Sequence, residues 1–386
     1  MSFLEKLLEG VEVEWKPLAH KESGVAELTR GRVMSKNYLR DNEGEYPVYS
    51  SQTANNGEIG SISSYDFDGE YVSWTTDGAN AGTVFYRTGK FSITNVCGLI
   101  KIKNLKELDY KFLFYWLSIE AKKYVYSGMG NPKLMSNQMA KVPIPIPSLK
   151  IQKEIVRILD TFTELTAELT AELTAELTAR KKQYAYYREQ LLTFDEKEIE
   201  WRTLGEVGEV RMCKRILKKQ TSSIGDIPFY KIGTFGKEPD SFISNELFNE
   251  YKSKYNYPKI GEVLISASGT IGRTVIFDGV DAYFQDSNIV WIENNEDQVL
   301  NKYLYYYYQI AKWQTAEGGT IKRLYNSDLK KTKIQIPSLE EQERIVNILD
   351  KFDTLTSSIS EGLPKEIELR KQQYAYYREM LLSFPK

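Results

Sequence analysis

Histidine is nearly missing from this chain: His20 is the only one in 386 residues. Imidazole is the usual general base and a common metal ligand, so Ser–His or Cys–His catalysis and histidine-rich metal sites have little to work with. Cysteine is almost as scarce, with Cys97 and Cys213 far apart. Two thiols exclude a zinc knuckle and allow one disulfide at most, and reduced thiols in a cytoplasmic protein are the expectation. An excess of charge is lacking too. There are 51 Lys and Arg against 53 Asp and Glu, a formal net charge of −2. Bulk positive charge therefore cannot hold a polyanion, although local basic surface remains open. No apolar run approaches the ~20 residues of a membrane span. The opening "MSFLEKLLEG" is too charged and too short for a secretory signal. No G-x-x-x-x-G-K-[ST] phosphate loop occurs, and no G-x-G-x-x-G follows a strand. No Asn/Asp-Pro-Pro-aromatic amino-methylation motif is present, and no carboxylate cluster suggests a Mg²⁺ nuclease.

Repetition is what the chain has in abundance. "IPSLKIQKEIVRILDTF" (Ile146 to Phe162) returns as "IPSLEEQERIVNILDKF" (Ile336 to Phe352), and "RKKQYAYYREQLLTF" (Arg180 to Phe194) returns as "RKQQYAYYREMLLSF" (Arg370 to Phe384). Both repeats are displaced by the same 190 residues. Weaker echoes lie upstream, "DGANAGTVF" at Asp77 with "SGTIGRTVI" at Ser268, and "KFLFYWL" at Lys111 with "KYLYYYY" at Lys302. The order is variable block, similar helix, variable block, similar helix, as a fused homodimer with a pseudo-two-fold axis would give. The boundaries follow: a first variable domain over 1–143, a central helix over 144–194, a second variable domain over 195–333 and distal helices over 334–386. The ending "REMLLSFPK" and the opening "SFLEKLLEGVEVEW" join, in pattern, into the middle stretch "REQLLTFDEKEIEW", so chain end is expected beside chain start.

From Ser148 to Leu192 there is neither Gly nor Pro. Ile151, Ile155, Ile158, Phe162, Leu165 and Leu169 step by four and three, a heptad seam. Leu173 and Leu177 follow at steps of four, a stutter, and Tyr184, Tyr187 and Leu191 come after. One helix of about 45 residues is predicted, near ~65 Å long, and its stripe needs a partner. Ile345, Ile348, Phe352, Leu355 and Ile359 supply one, running antiparallel. Gly362 and Pro364 should break the distal arm, with a new helix starting near Pro364. Inside the central helix, "TELTAELTAELTAELTA" (Thr163 to Ala179) repeats every four residues. Each unit adds ~6 Å and ~40° of seam rotation. An adjustable spacer is one reading and a replication scar the other, and the two flanking variable blocks favour the spacer.

The variable blocks read as mixed α/β, with short β-branched and aromatic runs between Gly, Asn, Asp and Ser turns. Aromatic helices over Leu108 to Tyr124 and Val299 to Trp313 are expected to be core. Polar turns hold the side chains that grip phosphates or read base edges. They run from Met34 to Arg40, Ser50 to Gly57, Thr75 to Asn80 and Gly128 to Asn137, then from Cys213 to Ser223, Ser266 to Arg273 and Gly318 to Asp328. The candidates are Lys36, Asn37, Arg40, Gln52, Asn55, Thr76 and Asn80 in the first block. In the second they are Lys218, Lys219, Ser268, Thr270, Arg273, Lys322 and Arg323. Arg suits guanine, and Asn or Gln suits adenine. The "QYAYYRE" faces (Tyr184, Tyr187, Arg188; Tyr374, Tyr377, Arg378) are either docking surfaces for partners or an intramolecular seam.

The duplicated "IPSL…IV.ILD.F" and "RKxQYAYYRExLL" segments, each following a variable block, resemble the specificity subunit of a type I restriction–modification system. The "TAEL" repeat is similar to the IC-type branch. The resemblance covers nearly the whole chain. It implies two α/β target-recognition domains separated by a long antiparallel helical coiled coil, each reading half of a bipartite double-stranded DNA site. It implies docking of two methyltransferase subunits and of motor-nuclease subunits, without a membrane. S-adenosylmethionine, ATP and Mg²⁺ would be bound by those partners, and no cofactor, metal or catalytic group by this chain. The alternatives are a duplicated coiled-coil scaffold joining two protein-binding domains, and an enzyme with an unrecognised site in a variable block.

Overall fold

The computed structural model describes residues 8–127, 130–195, 199, 201–314, 322–358 and 361–385. Gly128, Met129, Gly318, Gly319, Thr320, Ile321 and Ile359, which fall within the stretches and the seam above, lie outside the described residues. The chain divides into two compact units: Met1–Ala171 with Glu368–Lys386, and Glu172–Ile367.

In the first unit the strands are β1 (Glu14–Pro17), β2 (Ala26–Arg30), β3 (Glu43–Tyr49), β4 (Glu58–Ile62), β5 (Phe67–Asp68), β6 (Tyr71–Thr75), β7 (Val84–Arg87), β8 (Lys90–Ile93), β9 (Cys97–Ile102) and β10 (Pro143–Ile146). Antiparallel pairing gives one sheet in the order β2-β9-β6-β7. A second sheet runs β4-β3-β8-β5, with β3 and β8 parallel. β1 and β10 form a separate antiparallel ribbon. Side chains alternate across a strand, and β9 shows the consequence. Ile100 and Ile102 join the large core, whereas Cys97 and Leu99 enter a smaller cluster with Phe91 and Ile93. The helices of this region are α1 (Lys36–Asp41), α2 (Tyr110–Glu120) and α3 (Ser136–Met139). Asp109 caps α2, accepting from the Lys111 and Phe112 amides, as an N-cap carboxylate does. Tyr110, Phe112, Tyr115 and Trp116 are buried, so this aromatic stretch is core, as expected.

α4 (Leu149–Leu191) is a single helix of 43 residues. The absence of Gly and Pro and the Ala/Glu/Leu repeat suit that length. Its first turns belong to the first unit, where Ile155, Ile158 and Leu159 are buried. The second unit contains β11 (Trp201–Thr203), α5 (Leu204–Val207), β12 (Glu209–Arg211), β13 (Ile227–Tyr230), β14 (Phe242–Ile243), α6 (Asn245–Lys254), β15 (Val263–Ser266), β16 (Thr274–Ile276), β17 (Tyr283–Phe284), β18 (Ile289–Glu293), α7 (Asn301–Tyr308), α8 (Asn326–Lys331), β19 (Lys333–Gln335) and α9 (Leu339–Ser357). The sheet β12-β18-β15-β16 and the ribbon β11-β19 repeat the topology of the first unit, and β14-β13-β17 matches three strands of its four-stranded second sheet. Alternation recurs: Val263 and Ile265 face one core, Leu264 the other. In α7, Tyr303, Tyr306, Tyr307 and Tyr308 are buried. The chain breaks after α9, and α10 begins at Gly362 with φ +79° and runs to Leu381. That angle suits glycine.

The seams are built twice. Phe162, Leu165, Thr166 and Leu169 of α4 line a gap of about 190 Å³ with Arg370, Gln373, Tyr374 and Tyr377 of α10. The Tyr374 hydroxyl and Thr163 Oγ1 are hydrogen-bonded at 2.8 Å. In the second unit Tyr184 and Tyr187 stack on Phe352, with centroids 6.1 and 5.7 Å away. Leu165 departs from the expected seam, being 55% exposed, while Leu159, outside the heptad reading, is fully buried. Leu159 packs into the first unit's core beside Ile155 and Ile158, so a strict heptad does not hold there.

A glutamine fixes each arm to its sheet domain. Gln152 Nε2 donates to the Glu107 and Pro147 carbonyls, and its Oε1 accepts from the Asp109 amide. Gln342 Nε2 donates to the Gln298 and Pro337 carbonyls, and its Oε1 accepts from the Leu300 amide. Both side chains are fully buried. The expected meeting of chain end and chain start is present as well. Trp15 Nε1 donates to the Pro385 carbonyl at 3.0 Å, and Phe384 packs on Phe112 and Trp116.

Candidate nucleic-acid interface

In each unit a glycine turn after the central strand is clamped by a second segment. In the first, the Leu134 amide donates to the Thr76 carbonyl, and Asp77 bridges to Lys133. In the second, the Leu324 amide donates to the Ala267 carbonyl, and Ser268 bridges to Arg323. Glycines at φ +93° (Gly78) and +82° (Gly82) close the first turn, and Gly269 (+66°) and Gly272 (+81°) close the second. Side chains on such a turn are therefore presented on a backbone held from two sides.

In the first unit this turn gathers other polar stretches. Ser51 Oγ donates to the Val96 carbonyl and accepts from the Thr76 amide. Asn80 Nδ2 donates to Thr53 Oγ1 at 3.0 Å, and Gln52 Nε2 donates to the Glu58 carbonyl. Gln52, Asn55 and Asn80 are exposed. Thr76 is not. It is buried, and its hydroxyl donates to the Val96 carbonyl at 2.7 Å. Its position within the clamp makes it a shaper of the turn instead of a surface contact. Lys36, Asn37 and Arg40 are exposed on α1, and Arg40 is paired with Asp41. Tyr38 links α1 to the turn region. It accepts from Arg32 Nη1 at 2.8 Å, and the Arg32 carbonyl accepts from the Asn95 amide. The Tyr38 hydroxyl, and after it the Asp66 carboxylate, hold the Arg32 pKa above its ordinary value.

In the second unit a cleft of about 450 Å³ has Arg215, Lys218, Lys231, Gln285, Asn288 and Arg323 on its walls. Arg215 is paired with Asp286 at 2.8 Å and Lys231 with Asp240 at 2.7 Å. Lys218 and Arg323 are exposed and form no ion pair among the described residues, so their charge is the uncompensated part of the wall. The structure thus brings together Lys218 and Arg323 of the expected set. Ser268 lies beside them but is buried, its hydroxyl donating to Asn288 Oδ1 at 2.8 Å. Arg273 is half-buried and donates from Nη1 to the Phe235 carbonyl at 2.9 Å, away from the cleft lining. Lys219, Thr270 and Lys322 are exposed neighbours of these groups in sequence. Sequence reading missed Lys231, Gln285 and Asn288, which arrive from separate strands and loops. It also passed over Arg215 and Lys133 inside stretches it singled out.

The tyrosines read as either docking or seam residues touch the seams, although Tyr187 is still 40% exposed. Tyr184 is 8% exposed against Phe352, and Tyr377 lies 5.5 Å from Phe162. Arg188 and Arg378 sit over Tyr184 and Tyr374, 5.1 and 5.5 Å from the ring centroids, and Arg188 Nη1 also donates to Gln309. The outward members of the motif are Tyr186 and Tyr376, 60% and 63% exposed. Both thiols are buried, and burial pushes Cys97 up to about 11 and Cys213 to about 12. Among the described residues no group of three or more His, Cys, Asp or Glu could hold a metal ion, and no helix is long and apolar enough to cross a membrane.

The family model for the type I restriction modification DNA specificity domain matches residues 12–179 and again 196–369. A type I restriction enzyme specificity subunit from Haemophilus influenzae is 55% identical over 99% of this chain and 98% of its own length. The EcoR124I/EcoR124II specificity subunit from Escherichia coli is 33% identical over 100% of this chain and 98% of its own. Among solved structures, a chain from work on complex assembly and conformational transition in the type I R-M system is similar in fold. It has TM-score 0.64 at 16% identity, over 94% of this chain and 99% of that one.

Proposed function

Because this chain belongs to the type I restriction–modification DNA specificity family, we propose that each unit reads one half of a bipartite DNA site through its clamped turn. As a specificity subunit it is a non-catalytic member of a methyltransferase and endonuclease complex. The observation that carries the half-site reading is the duplicated clamp, Asp77 with Lys133 and Ser268 with Arg323, which sets polar loops at one place in both units. In the second unit Lys218 and Arg323 meet phosphates or a guanine edge, while Gln285 and Asn288 offer amides suited to adenine. α4 sets the gap between half-sites, with the number of "TAEL" units as the adjustable quantity. Two methyltransferase subunits dock on the arms, where Tyr186 and Tyr376 offer duplicated exposed rings, and motor-nuclease subunits complete the restriction enzyme in the cytoplasm. S-adenosylmethionine, ATP and Mg²⁺ belong to those subunits.

The test is a footprint of the full chain with its adenine methyltransferase on duplexes selected from a random pool. Arg323→Ala should relax base preference in one half-site by ~1–3 kcal/mol and leave the other unchanged. Lys218→Ala should weaken binding evenly and lower the salt slope by about one. A complex that leaves no footprint on any duplex would instead favour a scaffold.

A further inference from the structure

Arg87, at the end of β7, is 2% exposed. Its Nε donates to Ser73 Oγ at 3.0 Å, and the guanidinium carbon lies 3.6 Å from the Tyr49 ring centroid and 4.5 Å from that of Phe85. Its terminal nitrogens Nη1 and Nη2 are buried without a hydrogen-bond partner. It forms no ion pair among the described residues. Burying a charge without a counter-charge costs several kcal/mol, and a buried unsatisfied donor calls for an explanation. Burial pulls its pKa below the ordinary arginine value, with Tyr49, Cys97 and Glu58 offsetting part of that.

The position of this charge is specific. Nη2 lies 3.0 Å from where a Cβ on Gly57 would stand, next to the Gln52 and Ser50 carbonyls. Gly57 ends a turn in which Asn55 (φ 47°), Asn56 (φ 52°) and Gly57 (φ 84°) are all left-handed. Glycine and, after it, asparagine are the residues that adopt this region readily, so the sequence Asn-Asn-Gly is suited to the turn. Ala54, Asn55 and Asn56 are exposed. An exposed turn is thus closed over a cation that has no ion-pair partner among the described residues. No equivalent arginine stands in the second unit, where Phe277 occupies the corresponding place in the sequence.

We propose that Arg87 is a positioning residue whose guanidinium, lacking a counter-charge among the described residues, draws a DNA phosphate onto the Ser50–Gly57 turn, seating the turn for base reading by Gln52 and Asn55. The inference rests on the first unit reading DNA. The phosphate supplies the counter-charge, and the turn carbonyls are free to take the terminal nitrogens as the loop settles.

The experiment uses the full chain with its methyltransferase, titrated on a selected duplex at KCl concentrations between 50 and 300 mM. Arg87→Met should lower the slope of log K against log salt by about one. Arg87→Lys, which keeps the charge, should retain the wild-type slope while losing base preference in the first half-site alone. If Arg87→Met does not fold, judged by loss of its unfolding transition, Arg87→Gln takes its place with the same expectation, since its amide can still reach the Ser73 hydroxyl. An unchanged slope in the folded neutral variant overturns the proposal and leaves Arg87 a packing residue. A wild-type complex without salt-dependent binding would overturn the DNA reading itself, which is a separate failure.

Discussion

The rings of Phe162 and Tyr377 lie 5.5 Å apart, and those of Phe352 and Tyr187 lie 5.7 Å apart. Phe162 and Phe352 hold the same place in the two repeats, as do Tyr187 and Tyr377. One contact is therefore made twice, each time between a phenylalanine of one copy and a tyrosine of the other. Phe352 also stacks on Tyr184. Phe352→Ala should cost about 2–4 kcal/mol, and Phe162→Ala less. Urea unfolding followed by far-UV signal would measure both; negligible losses would show that the rings do not hold the arms, and equal losses would refute the ranking.

Gln152 and Gln342 are buried, and each makes three hydrogen bonds to backbone groups. Truncating either to alanine strands an amide and two carbonyls, so a loss of roughly 2–4 kcal/mol is expected per site. The two losses should add, because the residues lie in different units and share no partner. Denaturant midpoints of the single and double variants decide this.

Glu262 is buried, and burial raises its pKa above the ordinary carboxylate value, with the Lys259 amide and charge opposing. Its Oε2 accepts from the Lys259 amide at 2.7 Å, while Oε1 has no partner. A carboxyl that holds its proton more tightly in the fold than in the unfolded chain costs stability as pH rises through the unfolded value. Glu262→Gln keeps an acceptor for the amide without the charge. It should stabilise the protein at pH 7, with the gain fading below about pH 4, where the unfolded carboxyl is protonated too. A gain independent of pH would contradict this account.

Deleting Thr170 to Leu173 removes one "TAEL" unit, ~6 Å of α4. The preferred gap between half-sites should shorten and the half-sites stay the same. Selection over duplexes with varied gaps measures it, and an unaltered gap would refute the spacer role.

Much of this fold was legible in the sequence because its copies could be compared. Identity at a fixed offset located the helices, and the want of Gly and Pro gave α4 its length. The aromatic runs in α2 and α7 were readable as core because their rings fall on every side of the helix. The site was harder. Lys231, Gln285 and Asn288 meet only through the parallel pairing of β13 with β17, which no local pattern announces. Thr76 and Ser268 looked like surface contacts, yet their hydroxyls bond to Val96 and Asn288 within the clamp. Which face of "QYAYYRE" turns outward depends on where Phe162 and Phe352 lie, a tertiary fact.

The tie between Trp15 and Pro385 has a temporal side. The second unit is one unbroken run, Glu172–Ile367, whereas the first is completed by Glu368–Lys386. Leu381, Leu382 and Phe384 emerge from the ribosome after every residue of the second unit, although they belong to the core that holds Leu18 and Trp74. Domains usually fold in the order of synthesis, but here the first unit's core gains the Phe384 contact on Phe112 and Trp116 only after translation has passed through the whole of its neighbour.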